Sequence, residues 1–419
     1  MADFFTKPLL PNDIFTPRFA RVNNKIYVQR DYLEDQVRHA LKGSRHFCIF
    51  GESGNGKSWL YKRVFQSQKI EYTVVNLSSA KMRKSLLNAI EDKVASIQNE
   101  RMVSTTTTKT LNLAPGGLGG TGETQTVTIK SEIEPVESLF RLIKGSPTRP
   151  SVLVLDNFET VVGSEDIVNE ISNIIMLLDD EDMGKYYVKI CIVGVPAEIR
   201  DYLSRQTNRT TITSRLTEIR EVSRLSHDEA RQILERGFED LLKYTFKSLI
   251  EIINIFEKIL DVTDRIAAEV QDLALKVALR AQSNDKVIEL LVVEDAIEEW
   301  ILSSYNAARL TIVERMNSIS VTKIGRRSQC LYALGQLTLE DFRRSDVEGK
   351  FKECFPSTKG KNIGVGKLLQ DLCSGENAPI RKLHTGDGYR FSHPKYRMVI
   401  RAILVVREGE RVDRKRAEL

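Results

Sequence analysis

A glycine-rich run with one lysine and one serine lies near the start of the chain. It reads GESGNGKS over residues 51–58 and fits the pattern G-x-x-x-x-G-K-[ST] without a mismatch. Such loops bind phosphate because their backbone N–H groups and the following helix N-terminus carry partial positive charge. Lys57 is expected to reach the β- and γ-phosphates, and Ser58 to hold Mg²⁺ through its hydroxyl. The spacing therefore predicts a phosphate-binding loop.

The residues on either side of this loop have the pattern that it requires. His46–Phe50 is a short, mostly apolar run typical of a buried parallel strand, and Trp59–Gln66 has the pattern of a helix. Glycine at positions 54 and 56 permits close backbone approach and unusual φ angles. The whole run is expected to line an ATP molecule, and its members are Gly51, Glu52, Ser53, Gly54, Asn55, Gly56, Lys57, Ser58 and Trp59.

A second candidate element is an apolar strand that ends in an acid. Val152–Leu155 is followed by Asp156, and a carboxylate at the tip of a strand beside the loop can hold Mg²⁺, often through water. Many ATPases place a second acid next, as the base that activates water, but here Asn157 occupies that position. Glu159 is the predicted substitute, although a base needs reach and the sequence does not show reach.

An arginine before a later strand is the candidate for a group that acts on a second copy of the chain. Arg215 precedes the segment Leu216–Ile219, and Arg209 competes with it. The planar guanidinium binds phosphate oxygens through two hydrogen bonds, and its charge offsets that of the transition state. We therefore expect Arg215 to reach the γ-phosphate of a neighbouring subunit.

Composition limits the class of protein. The chain has 419 residues, of which 41% are hydrophobic and 28% charged, as in a soluble globular protein with two or three domains. No long uncharged apolar run and no signal peptide are evident, so we expect a cytoplasmic protein with no membrane partner. The five cysteines form no C-x-x-C pair and are interpreted as reduced thiols. A net charge of +5 is too small to argue nucleic-acid binding by itself.

Changes in pattern along the chain predict its domains. Strands that alternate with helices indicate a parallel sheet covered on both faces, with early elements at Ile26–Arg30 (strand), Asp31–Leu41 (helix), Glu71–Leu77 (strand) and Lys81–Gln98 (helix). A threonine- and glycine-rich stretch at 103–130 is interpreted as an inserted β-hairpin, with a flexible linker as the alternative. The predicted boundaries are an extension at 1–25, an α/β core at 26–223, a helical domain at 224–316, a fourth domain at 317–405 and a basic tail at 406–419.

The segment at 317–405 has three helical patterns, near 327–337, 340–354 and 363–373, followed by a hairpin. This order is the layout of a winged helix. Its third helix, Ile363–Leu372, offers only Lys367 and Gln370 as donors to DNA bases, so we expect contact with phosphates and little base reading. Docking of a protein remains open as the alternative. The basic residues of this region are Lys359, Lys361, Lys367, Arg381, Lys382, Arg390, Lys395, Arg397, Arg401, Arg411, Arg414, Lys415 and Arg416.

As an ordered set, these segments resemble the AAA+ and STAND groups of P-loop ATPases, most closely the origin-recognition and initiator-like group. Residues 194–229 are also similar to ATPases that accompany transposases. The resemblance implies a five-stranded core, a helical lid, assembly with a partner, and a nucleotide contact from Arg30. The matching segments are 27–34, 51–58, 153–159, 194–196, 214–216 and 225–229.

Two departures from the family pattern affect the predicted activity. The lid helix, expected at Asp264–Gln282 with Thr263 as its N-cap, lacks the family's Gly-x-x-Arg, although Arg265 falls near the sensor position. The strand Val188–Gly194 ends without the polar residue that senses the γ-phosphate. Both departures favour slow hydrolysis.

The sequence therefore predicts an α/β P-loop NTPase sheet with a helical lid and a winged-helix-like domain. We expect a slowly hydrolysing ATPase that forms a homo-oligomer and controls a partner effector protein or DNA, in bacterial defence or mobile-element biology. The alternative is an initiator-like DNA-binding module whose nucleotide is mainly structural. A small-molecule kinase would share the loop but would not explain the lid and the last domain.

Overall fold

The computed structural model describes residues 8–110 (side chains to 99), 135–194, 212, 214–317, 325–383 and 387–416. The described residues form two compact units. We call residues 20–22 and 29–223 the core unit; the helical unit comprises the described residues of 1–19, 23–28 and 224–419. All five cysteines are free. No helix in the described ranges is long and apolar enough to cross a membrane.

The core unit contains a parallel sheet of five strands, as predicted. Their order is β2-β3-β4-β1-β5, and each neighbouring pair is parallel. The phosphate loop follows β1, which lies between β4 and β5. Strand β4 therefore lies between β1 and the acid-tipped strand β3. The strands are β1 (His46–Phe50), β2 (Tyr72–Asn76), β3 (Ser151–Asp156), β4 (Val188–Gly194) and β5 (Leu216–Glu218).

Helices cover both faces of this sheet, because residues that alternate along each strand point to opposite sides. Leu153 and Leu155 pack with one set of helices, whereas Val152 and Val154 pack with the other. Both sets of strand residues are fully buried. The helices are α1 (Asp31–Lys42), α2 (Lys57–Ser67), α3 (Leu77–Arg83), α4 (Leu86–Thr110), α5 (Pro135–Leu142) and α6 (Glu165–Leu177).

Three predictions for the first part of the chain were wrong. Ile26–Arg30 forms no strand. The single helix expected at Lys81–Gln98 is two helices, α3 and α4, because Lys84 adopts a left-handed conformation with φ 55°. Threonines 105–108, expected as the first arm of a hairpin, belong to α4, since a weak β preference does not stop a helix that is already formed. The rest of that hairpin lies outside the described residues.

The part of the helical unit that follows the core unit in sequence begins with a capped helix. The Ser226 hydroxyl accepts a hydrogen bond from the Glu229 N–H at 3.1 Å, and the Glu229 carboxylate accepts one from the Ser226 N–H at 2.8 Å, which makes a capping box. A short helix, Pro11–Ile14, lies in the first part of this unit, and a π-helical segment, Glu235–Leu241, follows α7. The first five α-helices after residue 223 are α7 (His227–Leu234), α8 (Leu249–Val262), α9 (Ala267–Gln282), α10 (Leu290–Ser304) and α11 (Asn306–Arg315).

The predicted start of the long lid helix was wrong. Thr263 follows the end of α8, where its hydroxyl donates to the Ile259 carbonyl at 2.7 Å, and it does not cap α9. Asp264 and Arg265 have φ angles of 53° and 56° and form the left-handed turn between the two helices. Helix α9 therefore begins three residues later than predicted, at Ala267.

Three helices and a hairpin follow in the predicted order. Strands β6, β7 and β8 form an antiparallel sheet in the order β6-β8-β7. The expected basic tail is not a tail over its described part, because β9 and β10 pair as an antiparallel hairpin. The elements are α12 (Arg326–Gly335), β6 (Asp341–Arg343), α13 (Arg344–Cys354), α14 (Val365–Leu372), β7 (Ile380–Lys382), β8 (Gly388–Phe391), α15 (Pro394–Ile403), β9 (Leu404–Arg407) and β10 (Arg411–Arg414).

One buried carboxylate organises the interior of the helical unit. Asp264 is 2% exposed and pairs with Arg224 at 2.9 Å, Arg397 at 3.1 Å and Arg401 at 3.1 Å. Burial lowers the pKa of Arg397 to about 10, against the opposing charge of Asp264. Arg401 also donates to the Gly335 carbonyl at 2.6 Å. We call these four side chains the Asp264 cluster; because each charge is buried, the unit depends on all of them being paired.

Candidate functional site

The phosphate loop has the backbone conformation that its glycines permit. Gly51, Gly54 and Gly56 have φ angles of 152°, 87° and 93°, which residues other than glycine rarely adopt. A Cβ atom on Gly51 would lie 2.3 Å from the Val222 carbonyl oxygen. Helix α2 starts directly after Gly56, so its N-terminus faces the loop as the sequence predicts.

The loop is fastened to residues 219–223, which we call the exit segment because the core unit ends there. The buried Asn55 side chain donates to the Val222 carbonyl at 3.1 Å, and the Val222 N–H donates to the Phe50 carbonyl at 2.7 Å. Arg30 donates to the carbonyls of Ser223 at 3.0 Å and Asn55 at 3.4 Å. Arg30, predicted to contact nucleotide, therefore also braces the loop against the exit segment.

The Lys57 side chain folds back over the first residues of the phosphate loop. Its ammonium donates to the carbonyls of Gly51 at 2.6 Å and Glu52 at 3.0 Å. Burial lowers the pKa of Lys57, while the carboxylates of Glu159, Asp156 and Glu52 oppose that shift. The three acids therefore lie close enough to act on the lysine, and phosphate oxygens are stronger acceptors than the two carbonyls it now contacts.

Asp156 at the end of β3 lies close to Ser58 at the start of α2, although β4 separates β3 from β1, the strand that precedes the loop. The Ser58 hydroxyl lies 3.4 Å from Asp156 Oδ2, and the Tyr61 hydroxyl lies 3.4 Å from the same oxygen. The backbone N–H of Asn157 donates to Asp156 Oδ1 at 2.9 Å. A hydroxyl and a carboxylate are hard oxygen ligands, so this pair fits Mg²⁺. Mg²⁺ takes its other ligands from water and phosphate, so few protein acids are needed.

Glu159 follows the tip of β3 in a short 3₁₀ turn, Phe158–Thr160. Its Oε2 atom is buried and has no hydrogen-bond partner among the described residues. Asn157 adopts φ 65° and donates from its side chain to Asn76 at 3.1 Å, so it binds β2. The structure therefore brings Glu159, as well as Asp156, within electrostatic range of Lys57.

Arg215 lies at the opposite edge of the sheet from the loop. It precedes β5, whose Leu216 pairs with His46 at the beginning of β1, whereas the loop follows the end of β1. Five residues of strand separate the two edges by about 16 Å. Arg215 pairs with Asp179 at this edge. The structure does not bring Arg215 to the loop of its own chain.

Two further arginines were predicted to serve the nucleotide site. Arg209 lies outside the described residues. Arg265 belongs to the helical unit, where its carbonyl accepts a hydrogen bond from the Leu225 N–H at 3.0 Å in the turn before α9.

Buried basic groups are also present at the Arg215 edge. His46 accepts a hydrogen bond from the Ile190 N–H at 3.2 Å, and burial with the nearby Lys189 charge lowers the pKa of His46 to about 4. Lys189 donates to the carbonyls of Ala40 at 2.8 Å and Arg45 at 3.0 Å, and burial lowers its pKa to about 8.

Sequence reasoning did not identify Tyr61 or Val222 as part of the site. The spacing between Lys57 and Tyr61, four residues along α2, was a usable signal because such residues share a helix face. Val222 is separated from Asn55 by 167 residues and contributes only its carbonyl, so no side-chain pattern marks it.

Residues 38–203 match the family model described as an AAA domain. This match confirms the predicted resemblance of the core to AAA+ P-loop ATPases. A search of curated proteins found no match.

Solved structures with a similar fold include the Walker-type ATPase paby2304 of Pyrococcus abyssi, with 12% identity over 90% of this chain and 96% of that one and a TM-score of 0.50. Cdc6p from Pyrobaculum aerophilum has 15% identity over 94% and 98%, with a TM-score of 0.42. The Aeropyrum pernix ORC1 protein in complex with DNA has 14% identity over 92% and 94%, with a TM-score of 0.44. The likeness to the Pyrococcus abyssi protein shows a shared fold. The other two likenesses are too distant to support any conclusion about this chain.

Proposed function

We propose that this AAA+ ATPase is a slow, ATP-driven oligomeric switch that controls a partner effector protein or DNA, in bacterial defence or mobile-element biology. The observation that carries the proposal is the attachment of the phosphate loop to the exit segment. Asn55 donates to the Val222 carbonyl, Gly51 leaves no room for a side chain beside that carbonyl, and the core unit ends one residue later at Ser223. A loop that changes when phosphate binds therefore acts directly on the chain that leaves the core.

The same residues fit ATP with Mg²⁺. Lys57 would exchange its two carbonyl contacts for phosphate oxygens, and Ser58 with Asp156 would supply the oxygen ligands of the metal. Bound Mg²⁺ supplies charge neutralisation on the phosphates. Glu159, whose buried oxygen has no partner among the described residues, would position and deprotonate water.

Two features of the site support the proposal of slow ATP hydrolysis: the position of the base and the end of strand β4. Asn157 takes the place next to Asp156 and binds Asn76, so the proposed base is two residues further along. Strand β4 ends at Gly194, which has no side chain to sense the γ-phosphate. The site thus has groups for binding phosphate and fewer groups for stabilising its transfer.

Replacing the loop lysine tests this function. We expect Lys57→Ala to weaken ATP binding at least tenfold and to abolish ATP-dependent growth in mass, because the main cation on the phosphates is lost. Binding is measured with a fluorescent ATP analogue, and mass by size-exclusion chromatography with light scattering. Lys42→Ala, an exposed lysine at the end of α1, is the matched control. Unchanged affinity and unchanged assembly in Lys57→Ala would refute the switch.

DNA binding through the winged-helix-like region is the second candidate, favoured by its basic residues. The structure makes the basic set smaller than the sequence suggested. Arg397 and Arg401 are buried in the Asp264 cluster, and Arg390 pairs with Asp341 at 2.8 Å. The exposed basic residues near α14 and β7 are Lys359, Lys361, Lys367, Arg381 and Lys382.

Fluorescence anisotropy with duplex DNA at two salt concentrations tests this candidate. We expect weak binding that falls steeply with salt and that drops further in Arg381→Ala with Lys382→Ala, because the contacts are to phosphates. The control is Lys350→Ala with Lys352→Ala, on α13. Binding that ignores salt, or an equal loss in both double variants, would contradict phosphate contact by β7.

A further inference from the structure

We propose that Tyr61 is a positioning residue that holds the carboxylate of Asp156 in the orientation that binds Mg²⁺. The inference rests on the proposed function, since it assigns a second layer of contacts to the metal site. It concerns a residue outside the phosphate-loop pattern, one helical turn beyond Lys57.

The geometry around Asp156 gives each carboxylate oxygen a donor. Tyr61 and Ser58 each place a hydroxyl 3.4 Å from Oδ2, and the Asn157 N–H lies 2.9 Å from Oδ1. Two donors on different oxygens define the plane of a carboxylate. Rotation about the bond that carries the carboxylate would break both contacts.

The two hydroxyls do not have the same task. Ser58 has to turn an oxygen lone pair toward Mg²⁺ when the metal binds, because its hydroxyl is the expected ligand. Tyr61 has no such second role. It is therefore the side-chain donor that remains on Asp156 both with and without the metal.

The Tyr61 ring is held rigidly enough for this role. The side chain is fully buried, and its ring packs against Phe65 at 5.4 Å and against Tyr72 at 6.1 Å with an interplanar angle of 84°. A hydroxyl on a packed ring has one reachable acceptor region, so the contact with Asp156 is made without freezing a mobile side chain.

Deleting the hydroxyl alone tests the role. In Tyr61→Phe the ring and its packing stay, while Asp156 loses one donor. Metal sites typically lose about 10–100-fold in affinity when such a supporting contact is removed. Because the contact is long, we expect the lower value, an increase of about tenfold in the Mg²⁺ concentration at half-saturation.

The measurement is binding of fluorescent ADP by the full chain, titrated with Mg²⁺ and repeated in EDTA. We expect Tyr61→Phe to shift the Mg²⁺ midpoint and to leave the affinity in EDTA at the wild-type value, which also shows that the variant is folded. Tyr72→Phe is the matched control, since it removes a hydroxyl from the ring that packs on Tyr61. A Mg²⁺ midpoint in Tyr61→Phe equal to that of wild type would overturn the inference, as would equal shifts in both variants.

Asp156→Asn separates failure of this inference from failure of the proposed function. If Asp156→Asn raises the midpoint and Tyr61→Phe does not, only the role of Tyr61 is wrong. If Asp156→Asn leaves the midpoint unchanged, the metal site itself is wrong and the inference falls with it. In the double variant we expect no further effect of Tyr61→Phe, since the two residues act through one contact.

Discussion

The two edges of the five-stranded sheet differ in how their charged groups are satisfied. At the edge where β1 ends, Glu159 has a buried oxygen that finds no partner among the described residues, and Lys57 donates to the carbonyls of Gly51 and Glu52 in the loop that should bind phosphate. At the edge where β1 begins, Lys189 donates to backbone carbonyls and Arg215 pairs with Asp179. The first edge is therefore suited to a ligand from solution, whereas the second would meet one only if Arg215 exchanged Asp179 for another anion.

The largest expected effect tests whether the second edge serves the first edge of a neighbouring copy. We expect Arg215→Ala to lower ATP hydrolysis about 10³-fold, because an arginine supplied in trans stabilises the charge of the transition state. ATP affinity should stay unchanged, since Arg215 lies away from the loop of its own chain. Mixing Arg215→Ala with Lys57→Ala should restore part of the hydrolysis, because one interface then has both groups.

Asp179→Asn is the companion variant for Arg215. It releases the arginine from its observed partner, so we expect hydrolysis at or above the wild-type rate. A mixture that co-assembles without recovering activity would show instead that each site is complete within one chain, and the comparison of edges would lose its functional meaning.

A second prediction concerns the first edge alone. Glu159→Gln keeps size and polarity but cannot accept a proton, so we expect about 10²-fold slower hydrolysis with unchanged ATP affinity. Rates are measured by phosphate release, and affinity with the fluorescent analogue. Glu165→Gln, in the exposed first turn of α6, is the control. Equal rates in the two variants would remove Glu159 from the reaction.

The smallest effect concerns acid stability at the second edge. The pKa of His46 is about 4 in the folded chain, below its usual 6.5, so the unfolded chain binds a proton first as pH falls. The stabilising contribution is complete above pH 6.5 and declines as pH falls from 6.5 toward 4, by about 2 kcal/mol at pH 5.

Denaturant unfolding at pH 8 and pH 5 measures this loss. We expect His46→Gln to lose less stability between the two pH values than the wild type, since it has no ring to protonate. The exposed His39→Gln is the control and should behave like the wild type. An identical pH dependence in His46→Gln would show that another group causes the acid loss.

Local pattern predicted the loop, the acid-tipped strand and a parallel sheet, whereas the number of strands was implied by the family resemblance. The sequence did not predict the strand order, since that order depends on packing between distant segments. Asn55 and Val222, 167 residues apart, show the same limit for the site. In the helical unit, Arg401 belongs to a basic stretch of the sequence that suggests contact with DNA. Its pairing with Asp264, 137 residues away, shows instead that its side chain is interior.

The Asp264 cluster also determines when the helical unit can fold as the chain is made. Its members span Arg224 to Arg401, so two of the three arginine partners of the buried carboxylate are missing until the region of α15 has left the ribosome. All residues of the core unit have been translated by Ser223. At about 5–20 residues per second, the interval is roughly ten seconds or longer. During that time the translated core unit is followed by an unfinished segment whose apolar residues are not yet covered, and we expect this nascent stage to be the one most prone to aggregation.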